Sequence, residues 1–165
     1  MARHCFGPAP DASQEQMGRV RPTQGGSESM SDALIGIFLD TGKLEEIERF
    51  HALGVVRGVT TNPTILAKDG ITGGWSGIEK QIRAIAGLVD PLPVSVEVTT
   101  NEPEEMLEQA RRFASWAKNV NVKIPIHGPD GGAENLKLVH ELETEHDIRV
   151  NVTAMMSAQQ CLLAA

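Results

Sequence analysis

Short stretches with an apolar residue at every second position recur along this chain, and segments with helical spacing separate them. These stretches span residues 34–40, 94–98, 119–125 and 148–153, and residues 55–60 are a further predicted strand without this alternation. A period of two is typical of a β-strand, whereas apolar residues three and four positions apart indicate an amphipathic helix. Strands that alternate with helices form parallel sheets, so the pattern predicts an α/β fold.

The second face of each strand distinguishes two α/β architectures. In the fourth stretch, Val120, Val122 and Ile124 share one side, while Asn121 and Lys123 share the other. A doubly wound sheet has helices on both faces, and its strands usually read as continuous apolar runs. A barrel has helices outside and a lumen inside, with polar residues at its carboxyl-end mouth. We therefore predict a parallel (β/α)8 TIM barrel rather than a doubly wound sheet.

The number of units predicts an incomplete barrel. The chain of 165 residues holds five βα units, whereas a complete barrel needs eight and about 200 residues or more. We expect residues 30–165 to form a barrel domain truncated after about five βα units. Residues 1–29 are rich in Pro, Gly, Ser and Gln and have no hydrophobic period, so we expect a disordered N-terminal extension.

Charge and cysteine spacing exclude several function classes. The formal net charge is -7 and no basic block exists, which argues against nucleic-acid binding. No run of about 18 apolar residues exists, so we expect no membrane-spanning segment. Cys5 and Cys161 lie too far apart in the sequence for a metal or redox motif, and we predict a reducing compartment, the cytoplasm.

Polar side chains stand at or just beyond the carboxyl ends of the predicted strands. They are Asp40, Asn62, Glu97, Lys123 and Thr153. In a parallel barrel these ends meet at one rim, which is where such enzymes place their chemistry. The five groups are therefore expected to form one site.

The chemistry of this group points to a Schiff-base enzyme. Burial disfavours the charged form of a lysine, and only the neutral amine of Lys123 can attack a ketone. Asp40 could move protons on the substrate, and Glu97 could hold a water that shuttles protons while the imine forms and hydrolyses. Asn62 and Thr153 could fix substrate hydroxyls and that water.

Each of these residues also has an ordinary structural interpretation. Lys123 could cap loop carbonyls at a strand edge or form a structural ion pair with Glu97. Asp40 could cap the first helix. Asn62 suits a turn before a proline, and Thr153 suits the interior of a strand. The sequence leaves these alternatives open.

Three motifs resemble the transaldolase family, and more closely its small, fructose-6-phosphate aldolase-like branch of Schiff-base aldolases. They are FLDT at 38–41, GVTTNP at 58–63 and VKIP at 122–125. The resemblance implies that Lys123 is the Schiff-base lysine, Asp40 the acid/base aspartate and Asn62 a substrate-binding residue. In NVTA at 151–154, Thr153 matches the threonine near the catalytic water.

Further site residues are implied by the same resemblance. Thr60, Thr61 and Asn151 lie within the matching motifs and are expected to bind substrate. Glu97 stands where true transaldolases carry glutamate and aldolase-like members carry glutamine, which favours group transfer. The phosphate-binding arginine of the family falls further along than Ala165, as does the helix that helps subunits associate.

The resemblance implies a transaldolase of the pentose phosphate pathway that moves a dihydroxyacetone unit between sugar phosphates. It implies no cofactor and no metal, because the protonated imine is the electron sink. The expected partners are small sugar phosphates, together with other copies of the chain in a homo-oligomer of the full-length protein. The alternatives are an aldolase-like lyase and a catalytically inactive fragment, and we expect the truncated chain alone to be inactive.

Overall fold

The computed structural model describes residues 36–165. Strands and helices alternate along these residues, as the sequence pattern predicts. In chain order they are β1 Ile37–Asp40, α1 Leu44–His51, β2 Val56–Thr60, α2 Pro63–Lys68, α3 Gly74–Val89, β3 Val94–Glu97, α4 Pro103–Ala114, β4 Val120–Pro125, α5 Leu136–Thr144, β5 Val150–Thr153 and α6 Ala158–Ala164.

The five strands form a single parallel sheet in the order β1-β2-β3-β4-β5. A doubly wound sheet would show a reversal in strand order, because its helices cover both faces. Here each strand pairs with the one that precedes it, and the sheet curls into half of a barrel. The predicted (β/α) barrel architecture with five βα units is therefore confirmed.

The core lies between the outer face of the sheet and the helices. In β4, Val120, Val122 and Ile124 are buried, whereas Asn121 and Lys123 on the other face are only partly buried. Other buried side chains in the same cluster come from β3 and from helices α3 and α4; they include Val94, Val96, Ile82, Ile85, Met106 and Phe113. Burial of these aliphatic and aromatic groups is the main source of stability for such a layer.

Two helix ends show the ordinary sequence signals for a helix boundary. Helix α4 begins with Pro103, has Glu104 in its first turn and carries Arg111 in its last turn, so its charges complement the helix dipole. Helix α1 is followed by Gly54, whose φ of 72° is a left-handed conformation that glycine adopts readily. After each helix ends, the chain turns back and the next strand lies beside the strand before the helix.

Two helix boundaries differ from the prediction. The sequence favours a loop at residues 70–77, yet α3 begins at Gly74, because the Trp75 ring packs 5.6 Å from the ring of Phe113 and anchors the first turn. The turn before the next helix predicts Asp130 as its cap, but α5 begins at Leu136. Its preceding residue, Asn135, instead donates to the carbonyls of Pro125 and His127 at 2.9 and 2.8 Å.

Some predictions concern residues outside the described range. The predicted extension at 1–29, and the first residues of the stretch at 34–40, lie there. Within residues 36–165, no helix is long and apolar enough to cross a membrane. The same residues contain no cluster of three or more His, Cys, Asp or Glu side chains placed to hold a metal ion.

Candidate active site

A cleft of about 660 Å³ opens at the carboxyl ends of the first three strands, and Pro125 at the end of β4 completes its lining. Its wall combines the end of β1, the turn and helix that follow β2, and the loop that follows β3. Its polar lining consists of Asp40, Asn62, Thr64, Lys68, Glu97, Thr99, Thr100 and Asn101. Three of the predicted site residues, Asp40, Asn62 and Glu97, therefore share one cleft.

Lys123, on β4, lies next to Glu97 on the neighbouring strand β3. The two residues face each other in the register of β3 and β4, and Lys123 Nζ lies 3.3 Å from Glu97 Oε2. Their side chains are only 15% and 24% exposed. The amine thus faces the interior of the half-barrel and not the covering helices, with a carboxylate close enough to exchange a proton with it.

Asp40 is held by its neighbouring strand. Thr60 Oγ1 donates to Asp40 Oδ1 at 2.8 Å, and the two residues pair in the register of β1 and β2. The alternative that Asp40 caps the first helix is wrong, because the residue at that cap is Lys43 and no side chain bonds there. Thr60 has the direct role of orienting this carboxylate, and its predicted contact with substrate stays a prediction.

The side-chain carbonyl oxygen of Asn62 accepts a hydrogen bond, whereas its side-chain amide nitrogen bonds to no other described residue. Its Oδ1 accepts a hydrogen bond from the backbone N–H of Ile65 at 2.8 Å, which caps α2. Such a cap stabilises the helix and fixes the side-chain orientation. The ordinary turn role of Asn62 is therefore present, and the same bond leaves its Nδ2 group as the donor that can reach a ligand in the cleft.

A second layer of polar side chains lies deeper than the pair of Lys123 and Glu97. Asn151 Nδ2, on β5, donates to Ser95 Oγ, on β3, at 3.0 Å. Thr61 is fully buried, and its hydroxyl donates to the Ser95 carbonyl at 3.0 Å. Asn121 lies opposite Ser95 in the register of β3 and β4. Ser95, Asn121 and Asn151 form this layer on the inner face, whereas Thr61 lies with Trp75 and Phe113 beside the helix-covered core.

The remaining predicted residues lie on the far side of Lys123. Asn151 pairs with Lys123 in the register of β4 and β5, and Thr153 pairs with Pro125, two residues nearer the mouth. Neither lines the cleft formed by the first three strands. The structure therefore places Lys123 between two groups: Asp40, Asn62 and Glu97 on one side, and the residues of β5 on the other. The catalytic and binding roles of all these side chains stay predictions.

Sequence reasoning missed several contributors to this site, among them Ser95, Lys68 and Asn101. Ser95 lies two residues before Glu97 in β3, so both side chains point to the same face of the sheet. This spacing could have predicted that Ser95 lies on the inner face. Lys68 ends a six-residue helix and Asn101 lies in a loop, so neither has a periodic signal that predicts an inward position. Their place on the cleft wall results from how α2 and the loop after β3 extend over the mouth.

The arrangement suits proton transfer beside an amine. The partly enclosed amine of Lys123 lies 3.3 Å from a carboxylate oxygen of Glu97, a distance over which a proton can be exchanged directly or through a water. A second carboxylate, Asp40, lines the cleft together with Glu97. These are the groups that nucleophilic attack on a carbonyl, followed by acid/base catalysis, requires.

The described part of the chain is similar to known proteins. Residues 37–165 match the model of the family described as transaldolase/fructose-6-phosphate aldolase. A probable transaldolase of Dehalococcoides mccartyi is 46% identical over 129 residues, which cover 78% of this chain and 55% of that protein. Probable transaldolase 2 of Listeria monocytogenes is 47% identical over 128 residues, covering 78% of this chain and 53% of that protein.

A probable transaldolase of Myxococcus xanthus is 43% identical over 128 residues, covering 78% of this chain and 52% of that protein. The chain thus spans about half the length of the curated relatives it matches. The family match takes in every described strand and helix, and it confirms the resemblance inferred from the three motifs. This chain belongs to the transaldolase/fructose-6-phosphate aldolase family.

Proposed function

We propose that the protein is a transaldolase that moves a dihydroxyacetone unit from a ketose phosphate to an aldose phosphate through a Schiff base on Lys123. The observation that carries the proposal is the position of Lys123. Its amine faces the interior at the carboxyl end of β4, is 15% exposed and lies 3.3 Å from Glu97. The names of the relatives, probable transaldolases, support the same class of enzyme.

The first steps would join the sugar to the protein. Glu97, directly or through a water, takes a proton from the Lys123 ammonium, and the neutral amine attacks the C2 ketone of the donor. The resulting carbinolamine loses water, with protons supplied by the same carboxyl group, to give a protonated imine. Glu97 suits this role because, among the described carboxylates, it is the one within ion-pair distance of the amine.

The next steps would break and remake a carbon–carbon bond. Asp40 removes the proton from the C4 hydroxyl, the C3–C4 bond cleaves, and its electron pair moves into the imine to form an enamine. The first aldehyde leaves, and the enamine attacks the carbonyl carbon of the acceptor aldehyde while Asp40 returns the proton. Hydrolysis of the new imine then releases the product. The bond from Thr60 fixes the Asp40 carboxylate for this exchange.

Asn62, Thr61, Asn151 and Thr153 complete the proposed site. Asn62 would donate its free amide hydrogens to a substrate hydroxyl, and Thr153 would hold the water near the imine. Thr61 is the least direct of these residues because its side chain is fully buried. The proposed pathway is the pentose phosphate pathway, and the proposed partners are small sugar phosphates.

The test is reductive trapping on this chain. Incubation with fructose 6-phosphate and borohydride should convert the imine into a stable secondary amine, which mass spectrometry and peptide mapping would locate on Lys123. Lys118, an exposed lysine just before β4, is the internal comparison and should stay unmodified. An adduct on another lysine would refute the Schiff-base proposal, and so would the absence of any adduct on a full-length protein that contains this chain.

The lyase alternative differs in the fate of the enamine. A lyase protonates it and releases free dihydroxyacetone, whereas a transferase passes it to an acceptor. Glu97, at the position where the resemblance distinguishes the two branches, favours transfer. Product formation with and without erythrose 4-phosphate separates them, since a rate independent of this acceptor would support the lyase. The product assay also tests the prediction that this chain alone is inactive. Formation of the borohydride-trapped adduct without release of product would support that prediction.

A further inference from the structure

Asp69 is a largely buried carboxylate that the proposed mechanism does not use. It follows the last residue of α2, and its side chain is 11% exposed. Burial of a carboxylate is unfavourable unless hydrogen bonds or an opposite charge compensate it. Asp69 Oδ2 accepts the backbone N–H of Gly42 at 2.8 Å, and Oδ1 lies 3.7 Å from Lys43 Nζ. Asp69 therefore connects the end of α2 to the loop that follows Asp40.

Gly42 is bound on both sides of its backbone. Asp69 accepts its N–H, and Gln81 Nε2, on α3, donates to its carbonyl oxygen at 2.6 Å. A methyl group added at Gly42 would lie 2.9 Å from a methyl carbon of Leu66, so the loop also packs closely against α2. A hydrogen bond to an ionised carboxylate is stronger than one between neutral groups. Asp69 and Gln81 together form what we call the Gly42 clamp.

The strand that carries Asp40 has less support than its neighbours. Among residues 36–165, β1 pairs with β2 alone, whereas β2 and β3 each lie between two strands. It has only four residues, and its Phe38 is 51% exposed. Asp40 is the last residue of this strand, and its carboxylate accepts a hydrogen bond from Thr60. The Gly42 clamp adds a second restraint two residues after Asp40.

Helix α2 links the clamp to the rest of the cleft. Asn62 caps the beginning of this six-residue helix and lines the cleft with Asp40, and Asp69 follows its end. The clamp therefore ties the loop after β1 to the same helix that presents Asn62. A group that transfers a proton must lie within hydrogen-bond reach of the atom it serves. A displacement of about 1 Å can lower a catalytic rate by about a hundredfold.

We infer that Asp69 and Gln81 are positioning residues for Asp40, because they hold the loop after β1 through Gly42. The inference rests on the proposed function for the role of Asp40 in cleaving the carbon–carbon bond. Neither Asp69 nor Gln81 lines the cleft, and the groups that form the imine lie on β3 and β4. Loss of the clamp should therefore slow the cleavage step and leave imine formation unchanged.

The mass of the trapped adduct separates the two steps. Borohydride reduces the six-carbon imine that forms before cleavage. After cleavage, the three-carbon enamine takes up a proton at carbon and becomes an imine, which borohydride also reduces. In a full-length protein that contains this chain, Asp69→Ala should slow the appearance of the three-carbon adduct from fructose 6-phosphate by about tenfold or more. The six-carbon adduct should form at the wild-type rate.

Three further variants test whether the clamp itself is responsible. Lys43→Gln removes the ion pair but leaves both bonds to Gly42, so it should match wild type. Asp69→Asn keeps an oxygen that can accept the Gly42 N–H and should recover most of the cleavage rate. Gln81→Met removes the other bond and should slow cleavage in the same way as Asp69→Ala. It decides the question if Asp69→Ala does not fold.

A measurement without sugar separates this inference from the proposed function. The NMR signal of the Asp40 carboxyl carbon should shift in Asp69→Ala and much less in Lys43→Gln, because only the first substitution releases the loop. Absence of any adduct on the full-length protein overturns the Schiff-base proposal, and the Asp40 signal still decides whether the clamp positions this carboxylate. An unchanged Asp40 signal, or wild-type cleavage in both Asp69→Ala and Gln81→Met, overturns the inference.

Discussion

The two faces of β4 show how differently the two sides of one strand are used. On the outer face, Val120, Val122 and Ile124 are at most 4% exposed and contact the covering helices. On the inner face, Lys123 meets Glu97 while remaining 15% exposed, and Asn121 lies beneath it. The outer face stabilises the fold because it removes apolar surface from water. The inner face instead keeps polar groups in contact with one another beside the cleft.

The difference implies that the outer face is constrained by volume and the inner face by chemical identity. An apolar core tolerates another apolar group of similar size, but a deletion leaves a cavity. A proton-transfer pair tolerates little chemical change, although its contribution to stability is small when both groups reach solvent. Substitutions on the two faces should therefore separate function from stability.

The largest expected effect is the loss of sugar trapping in Lys123→Met. Methionine has no amine, so the adduct with fructose 6-phosphate should disappear completely. The free energy of unfolding of the double variant Lys123→Met/Glu97→Gln should stay within about 2 kcal/mol of wild type, because an ion pair with limited burial contributes little net stability. Urea denaturation measures this change.

Lys118→Met is the matched control for that experiment, since it removes an exposed lysine just before the same strand. It should leave both trapping and stability unchanged. A stability loss in the double variant as large as that of a core deletion would show that the inner face is also structural, and the contrast between the two faces would fail.

The next largest effect is expected in the core. Phe113 is fully buried and contacts the rings of Trp75 and Trp116, so Phe113→Ala should lower the free energy of unfolding by about 3–5 kcal/mol. Phe38 is 51% exposed, so the same substitution there should cost less than about half as much. Denaturation of the two variants compares one residue type in two environments, and equal losses would contradict the assignment of the core.

A smaller effect is expected where β2 passes close to β1. A methyl group added at Gly58 would meet the Phe38 ring and would lie 2.9 Å from the Pro93 carbonyl oxygen. Gly58→Ala should therefore cost about 1–3 kcal/mol through overpacking. Adding Phe38→Ala should recover part of this loss, because the ring would no longer occupy that space. Additive losses in the double variant would rule out the ring as the cause.

The smallest effect concerns the deeper polar layer. The hydrogen bond from Asn151 to Ser95 should contribute about 1 kcal/mol. A double-mutant cycle with Ser95→Ala and Asn151→Ala isolates that coupling in urea denaturation. A coupling energy near zero would mean that the two side chains do not support each other.

Much of this fold could be predicted because its strands alternate so regularly. The parity of Val120, Val122 and Ile124 predicts which face is covered, and the rule that parallel strand ends share one rim predicts that Asp40, Asn62 and Glu97 meet. The features that the sequence could not predict depend on tertiary contacts. The start of α3 depends on Trp75 packing against Phe113, and the cap of α5 depends on Asn135 reaching back to β4.

The site shows the same limit. Glu97 and Lys123 are predicted neighbours because they have matching positions on adjacent strands. Lys68 lies on a helix, so no strand register predicts its position. That position depends on the direction in which α2 leaves β2. Asn62 had two competing interpretations, and its bond to Ile65 shows that the helix-capping role is real without excluding the other.

The sequential order of the strands has a consequence for synthesis on the ribosome. Each described strand after β1 pairs with the strand that was synthesised just before it. A newly emerged βα unit can therefore pair with a strand that has already left the ribosome. Within residues 36–165, each strand from β2 to β5 can pair as soon as it emerges, which shortens the loops that must close. We expect β1 to β3 to become resistant to protease on stalled nascent chains before β5 has left the exit tunnel.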